Sequence, residues 1–183
     1  FSSSGAFTDP GADTWTATVD FGDGSGVQNL TLTAKTFNLS HVYADNGTYT
    51  VTVTVKDDDN GVGTDIAVVT VNNVDPTVNA GNDAIINEGG TFSSTGSFTD
   101  PGTDTWTATV DYGDGSGVQN LTLTGKTFSL SHVYADNGTY TVTVTVKDDD
   151  NGVGTDTAVV TVNNVAPASL TLSATPATIN ENG

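Results

Sequence analysis

The chain has 183 residues, no cysteine and no methionine, and 22 Asp and Glu against four Lys, for a formal net charge of −18. That balance repels phosphate backbones and anionic lipid surfaces, excluding nucleic-acid and membrane-surface partners, and it favours cations. Without cysteine there is no disulfide framework, zinc–thiolate site or thiol nucleophile, and no apolar run reaches membrane-spanning length.

Hydrophobic residues make up 35% of the chain and charged residues 14%, which suits small domains with thin cores under a Thr, Ser, Asn and Gly surface. In chain order, a turn-rich TDPGAD (8–13) leads into a strand whose inward face is Trp15, Ala17, Val19 and Phe21. The GDGSG turn (22–26) follows, then Leu30 and Leu32, then an inward face of Phe37, Leu39, His41 and Tyr43. After ADNG (44–47), the run T-Y-T-V-T-V-T-V-K (48–56) alternates Tyr49, Val51, Val53 and Val55 with Thr and Lys. Period two of this kind buries one face and wets the other. DDDNG (57–61) turns the chain into a last strand, with Ala67, Val69 and Val71 directed inward.

The linker NNVDP (72–76) is stiffened by its proline. The stretch 76–91, PTVNAGNDAIINEGGT, is expected to be the first strand of a second unit. Residues 92–167 then repeat residues 1–76 with eight differences, at Ser4/Thr95, Ala6/Ser97, Ala12/Thr103, Phe21/Tyr112, Ala34/Gly125, Asn38/Ser129, Ile66/Thr157 and Asp75/Ala166. The expected domains are 1–75, lacking its own first strand; 76–166, complete; and 167–183, the first strand of a further repeat or a donor strand to a neighbouring copy. A segment cut from a longer array and a subunit that exchanges strands would both place a strand there. About seven strands per unit with no helical periodicity predict an all-β chain of tandem immunoglobulin-like β-sandwich repeats arranged as a rod.

The motifs VDFGDGSG (19–26) and HVYADNGTYTVTVTVKDDDNG (41–61), with their second copies at 110–117 and 132–152, resemble the PKD family. Val19 and Val110 depart from it where the family often carries Trp, and Trp15 and Trp106 lie four residues earlier on the same face. The resemblance implies an extracellular β-sandwich, common in microbial surface proteins, adhesins and secreted hydrolases, where it serves as a non-catalytic module.

The acidic residues fall in turns, and an immunoglobulin-like topology gathers those turns at the two poles. One pole collects Asp9, Asp13, Asp57 and Asp59 in the first unit, and Asp100, Asp104, Asp148 and Asp150 with the linker's Asp75 in the second. The other pole carries Glu88, Asp23 or Asp114, and Asp45 or Asp136. Stacked poles would repel unless a hard cation bridged them, and Ca²⁺ accepts six to eight such oxygens. Calcium is therefore the expected cofactor, with Asp9, Asp13, Asp57, Asp59, Asp75, Glu88, Asp100, Asp104, Asp148 and Asp150 as metal candidates. Asp58 and Asp149 alternate away from these and rank below them. The competing reading is that the Asp side chains only shape turns.

DDDNG lacks the spacing and closing Glu of an EF-hand, GDGSG is no phosphate loop, and no nucleophile elbow accompanies His41 or His132. The expectation is thus no enzyme. It is a structural or adhesive spacer of a large extracellular or cell-surface protein or fibre, with neighbouring repeats, other copies of itself, and extracellular matrix or polysaccharide as partners. Two alternatives stand beside it: a filament subunit joined by donor-strand pairing, and a non-catalytic binding module of a secreted hydrolase.

Overall fold

The computed structural model describes residues 1–171 and Glu181. All regular structure among them is β. The first repeat holds β1 (Ser2–Ala6), β2 (Trp15–Asp20), β3 (Gln28–Leu30), β4 (Leu32–Thr33), β5 (Thr36–Ser40), β6 (Gly47–Asp57) and β7 (Val62–Val71). They form two sheets, ordered β1–β5–β4 and β3–β2–β6–β7. The long β6–β7 hairpin runs antiparallel from Gly47↔Val71 to Lys56↔Val62. Its DDDNG turn closes with Asn60 at φ 71°, a left-handed conformation that Asn tolerates better than most residues.

The second repeat holds β8 (Thr77–Asn79), β9 (Ala84–Asn87), β10 (Thr91–Thr99), β11 (Trp106–Asp111), β12 (Gln119–Leu121), β13 (Leu123–Thr124), β14 (Thr127–Val133), β15 (Gly138–Asp148) and β16 (Val153–Asn163). Its sheets run β13–β14–β10–β8 and β12–β11–β15–β16–β9. The single first strand expected over 76–91 is two strands in two different sheets. Gly81, at φ 93° and anchored by its N–H to Asn79 Oδ1, turns the chain from one sheet to the other. β9 then lies parallel to β16, with Val160 opposite Ala84 and Val162 opposite Ile86.

This covering segment separates two repeats of nearly one sequence. In the second repeat Ala158 and Val160 are fully buried, whereas their counterparts Ala67 and Val69 are exposed and half-buried. Phe128 and Tyr134 are buried, and Phe37 and Tyr43 only half so. The first repeat's core is Val19, Phe21, Leu39, Val51 and Val53, packed by Leu30, Phe37, Tyr43, Val55 and Val69. Beside it, an opening between the two sheets is lined by Ala6, Phe7, Trp15, Phe37, Val53 and Val55.

Two glycine positions carry definite constraints. A Cβ at Gly5 would lie 2.3 Å from Phe37 Cζ, and one at Gly96 2.3 Å from Phe128 Cε2, so each strand glycine is the floor under an aromatic ring. The β13–β14 turn and its counterpart β4–β5 need a left-handed residue: Gly125 has φ 58° in the first of these, and Ala34 takes φ 54° in the second. That alanine costs the first repeat about 1–2 kcal/mol in backbone strain.

By packing, the chain divides into two compact units. One is Phe1–Thr77 with Phe98–Thr107 and Val146–Gly154; the other is Val78–Ser97 with Ala108–Thr145 and Thr155–Gly183. The first unit therefore draws two loop-bearing segments from the second sequence repeat. From position 172 on, apart from Glu181, the strand expected over 167–183 lies outside the described residues.

Candidate cation site and its carboxylates

Several of the acidic candidates are held by hydrogen bonds. Asp9 Oδ2 accepts from Trp15 Nε1 at 2.7 Å, and Asp100 Oδ2 from Trp106 Nε1 at 2.6 Å, so each anchors the indole at the start of its strand. Asp57 Oδ1 accepts the Gly61 N–H at 2.6 Å and Asp148 Oδ1 the Gly152 N–H at 2.6 Å, closing the two DDDNG turns. Asp148 Oδ2 also accepts from Asn73 Nδ2 at 2.8 Å. Glu88 Oε1 accepts the Val165 N–H at 2.7 Å, and Asp75 is exposed.

Two groups of three carboxylates converge, each with one oxygen per residue within 4.8 Å of the others. They are Asp13 with Asp58 and Asp59, and Asp104 with Asp150 and Asp45. Asp13 and Asp104 occupy the same place in the two repeats, yet their surroundings differ. Asp13 is half-buried, whereas Asp104 is only 8% exposed, and its Oδ2 is buried with no donor reaching it. Burial, followed by the charges of Asp100, Asp45, Asp149 and Asp148, raises the Asp104 pKa. Burial and then Asp9 and Asp58 raise that of Asp13. Asp58 Oδ1 and Asp149 Oδ1 also accept the N–H groups of Thr14 and Thr105. Asp45 is absent from the sequence-derived candidates because ADNG reads as a turn. Its pole, argued to meet the acidic loops of the next repeat, was the available signal.

The GDGSG and HVY motifs meet on another face. His41 Nε2 lies 2.6 Å from Asp23 Oδ2, and its ring stacks on Phe21 at 4.1 Å between centroids. His132, Asp114 and Tyr112 repeat this at 2.7 Å and 4.2 Å. The next aromatic is tied to the same corner: Tyr134 O–H donates to Tyr112 O at 2.9 Å, and burial pushes its pKa up to about 12. So the signature residues build a structural corner in which each histidine is satisfied by its aspartate. With this geometry in view, the family model for the PKD domain matches residues 1–71 and again 73–162. The chain belongs to the PKD domain family.

Among solved structures, the PKD domain of an M14-like peptidase from a Thermoplasmatales archaeon is similar, at 30% identity over 48% of this chain and 92% of that one, with a TM-score of 0.39. A tetra-tandem repeat from the extending region of a large adhesion protein is 22% identical, covering 87% of this chain and 44% of that one, with a TM-score of 0.48. A 1.5-MDa bacterial ice-binding adhesin is 16% identical over 90% of this chain and 58% of that one, with a TM-score of 0.40. No curated protein matches the chain.

The PKD corner has a pH signature. Hydrogen bonds from Ser25 and His41 hold Asp23 well below the usual carboxylate range, and those from Ser116 and His132 do the same for Asp114. A depressed carboxylate contributes stability that is present above the unfolded value, near 3.9, and is lost as pH falls below it. The double variant Asp23→Asn with Asp114→Asn is therefore expected to be less stable than the parent at pH 5, with the gap closing towards pH 2. Urea unfolding across that range checks it; a gap that stays constant would refute the role of the pair.

Proposed function

We propose that these PKD repeats are extracellular spacer modules of a larger cell-surface or matrix protein, supplying reach and mechanical continuity without catalysis. The observation that carries this reading is the serial duplication itself. Of 76 aligned positions only eight differ, so the second copy adds length and not a new chemistry. Only five residues separate β7, ending at Val71, from β8, beginning at Thr77, and they include Pro76, which is buried. The family is typical of extracellular proteins, and an acidic, Thr-rich surface suits such surroundings. Partners under this reading are other repeats, further copies of the chain, and matrix or polysaccharide. A protease applied to intact cells that make the protein is expected to release PKD-repeat peptides; release only after lysis would contradict the reading.

A second reading, a filament subunit joined by strand exchange, is favoured by one observation. Among the described residues, β1 and β7 of the first repeat are uncovered edges beside the opening that Phe37 and Val55 line, while the second repeat fills the corresponding position with β8 and β9. Unpaired edges accept an added strand through a ladder of backbone hydrogen bonds. The occupant would be residues 167–183 of another copy, whose INENG matches the INEGG of 86–90.

A further inference from the structure

We propose that Asp45, Asp104 and Asp150 form a binding site for a hard divalent cation of calcium size inside the first compact unit. The site goes beyond the spacer reading and stands whether or not that reading holds. Three carboxylates alone would not make a site, since exposed acidic groups cluster for many reasons. Asp104 supplies the second observation. It is about nine-tenths buried, and its Oδ2 is sealed from water with no hydrogen-bond donor. An ionised carboxylate in that position is costly unless a positive group compensates it.

The charges that act on it most are those of Asp100, Asp45, Asp149 and Asp148. The loops are fastened in this arrangement. Thr103 Oγ1 donates to Ala44 O at 3.2 Å, fixing the residue before Asp104 against the residue before Asp45. Asp148 Oδ1 accepts the Asp150 N–H at 3.0 Å, holding the third ligand's backbone. Gly102 leaves room for the carboxylate, because a Cβ there would lie 2.7 Å from Asp104 Oδ2.

The donor chemistry suits the ion. The three oxygens lie within 4.8 Å of one another. Ca²⁺ binds carboxylate oxygens at about 2.3–2.6 Å in a flexible shell, which suits side chains brought together from three separate loops. Asp45 and Asp150 are exposed, so water can complete a coordination shell of six to eight. The Asp13, Asp58 and Asp59 group shares the spacing but has no comparably buried, donor-free oxygen, and it serves as the internal comparison.

Calorimetric titration of the chelator-stripped, 183-residue chain with CaCl₂ tests the site. Asp104→Asn and Asp45→Asn are each expected to weaken binding at least tenfold, while Asp13→Asn leaves the strongest phase in place. Calcium is expected to raise the melting temperature of the parent and not that of Asp104→Asn. In calcium-free buffer, Asp104→Asn is expected to melt no lower than the parent, because it removes a buried charge. Asp45→Asn, at an exposed position, keeps the test open if the Asp104 variant fails to fold. Binding unchanged in both variants, absent in the parent, or lost in Asp13→Asn alone would overturn the proposal.

Discussion

A synthetic peptide of residues 76–90, added in excess to the 183-residue chain, is expected to raise the lower of its thermal transitions by at least about 5 °C. The lower transition belongs to the first repeat, whose β7 edge and inter-sheet opening stand uncovered. In the second repeat this same segment contributes the β9–β16 ladder and closes the edge by polar contacts. Ala80 N–H donates to Asp156 Oδ2 and Val159 N–H to Asp83 Oδ1, each at 2.8 Å. The first repeat offers the equivalent acceptor, Asp65, which is exposed and whose Oδ1 accepts the Ile66 N–H. Register is set by the ladder: Ala84 and Ile86 would lie opposite Val69 and Val71, the counterparts of Val160 and Val162. A ligand of the native state at a hundredfold over its Kd adds about 2.7 kcal/mol. For a domain of this size about 1 kcal/mol moves Tm by roughly 4–8 °C. A scrambled peptide should do nothing, and an equal shift from both peptides, or none from either, would refute the complementarity.

Replacing Phe128 by Ala is expected to cost about 3–5 kcal/mol, the range for a large aromatic lost from a sealed core. Phe37→Ala, the same substitution in the other repeat, is expected to cost roughly half as much. The two rings occupy the same place in their repeats, with Asn38 replaced by Ser129 beside them, and each rests on a strand glycine. They differ in cover, since Phe128 is 3% exposed and Phe37 borders the opening. Solvent already reaches one side of Phe37, so truncation there removes less area from the interior and leaves a smaller void. Urea midpoints of the two variants separate the outcomes. Equal losses would mean that the segment 76–91 does not seal the second core.

Much of the fold was legible in residue order. The alternation of Tyr49, Val51, Val53 and Val55 gave β6, and the inward faces of β2 and β5 followed from period two. The repeat offset located the second sandwich. What period two did not reveal was the break inside 76–91. Gly81 permits a left-handed turn, but sequence does not say that the chain changes sheet there. Local pattern likewise left Ala67 reading as inward, and in the first repeat it is exposed because burial depends on a covering strand elsewhere in the chain.

The carboxylates were less legible. Clustering at the poles could be argued from topology, yet sequence treats Asp100 and Asp104 alike. Their fates separate only in three dimensions: Asp100 meets an indole N–H, and Asp104 meets other carboxylates. Asp45 reads as a turn former, and its N–H-accepting Oδ1 does cap Asn46 at 2.8 Å. Its convergence with Asp104 depends on packing across 59 positions of sequence, which no local motif encodes.

The mechanical spacer claim is tested most directly by stretching single chains that carry both repeats. The account predicts separate force peaks, one for each sandwich, with contour increments of roughly 250–300 Å, set by some 70–90 residues at about 3.3–3.6 Å each. The weaker peak belongs to the first repeat. Extension without resolved peaks, as from a chain that yields to thermal forces alone, would contradict it.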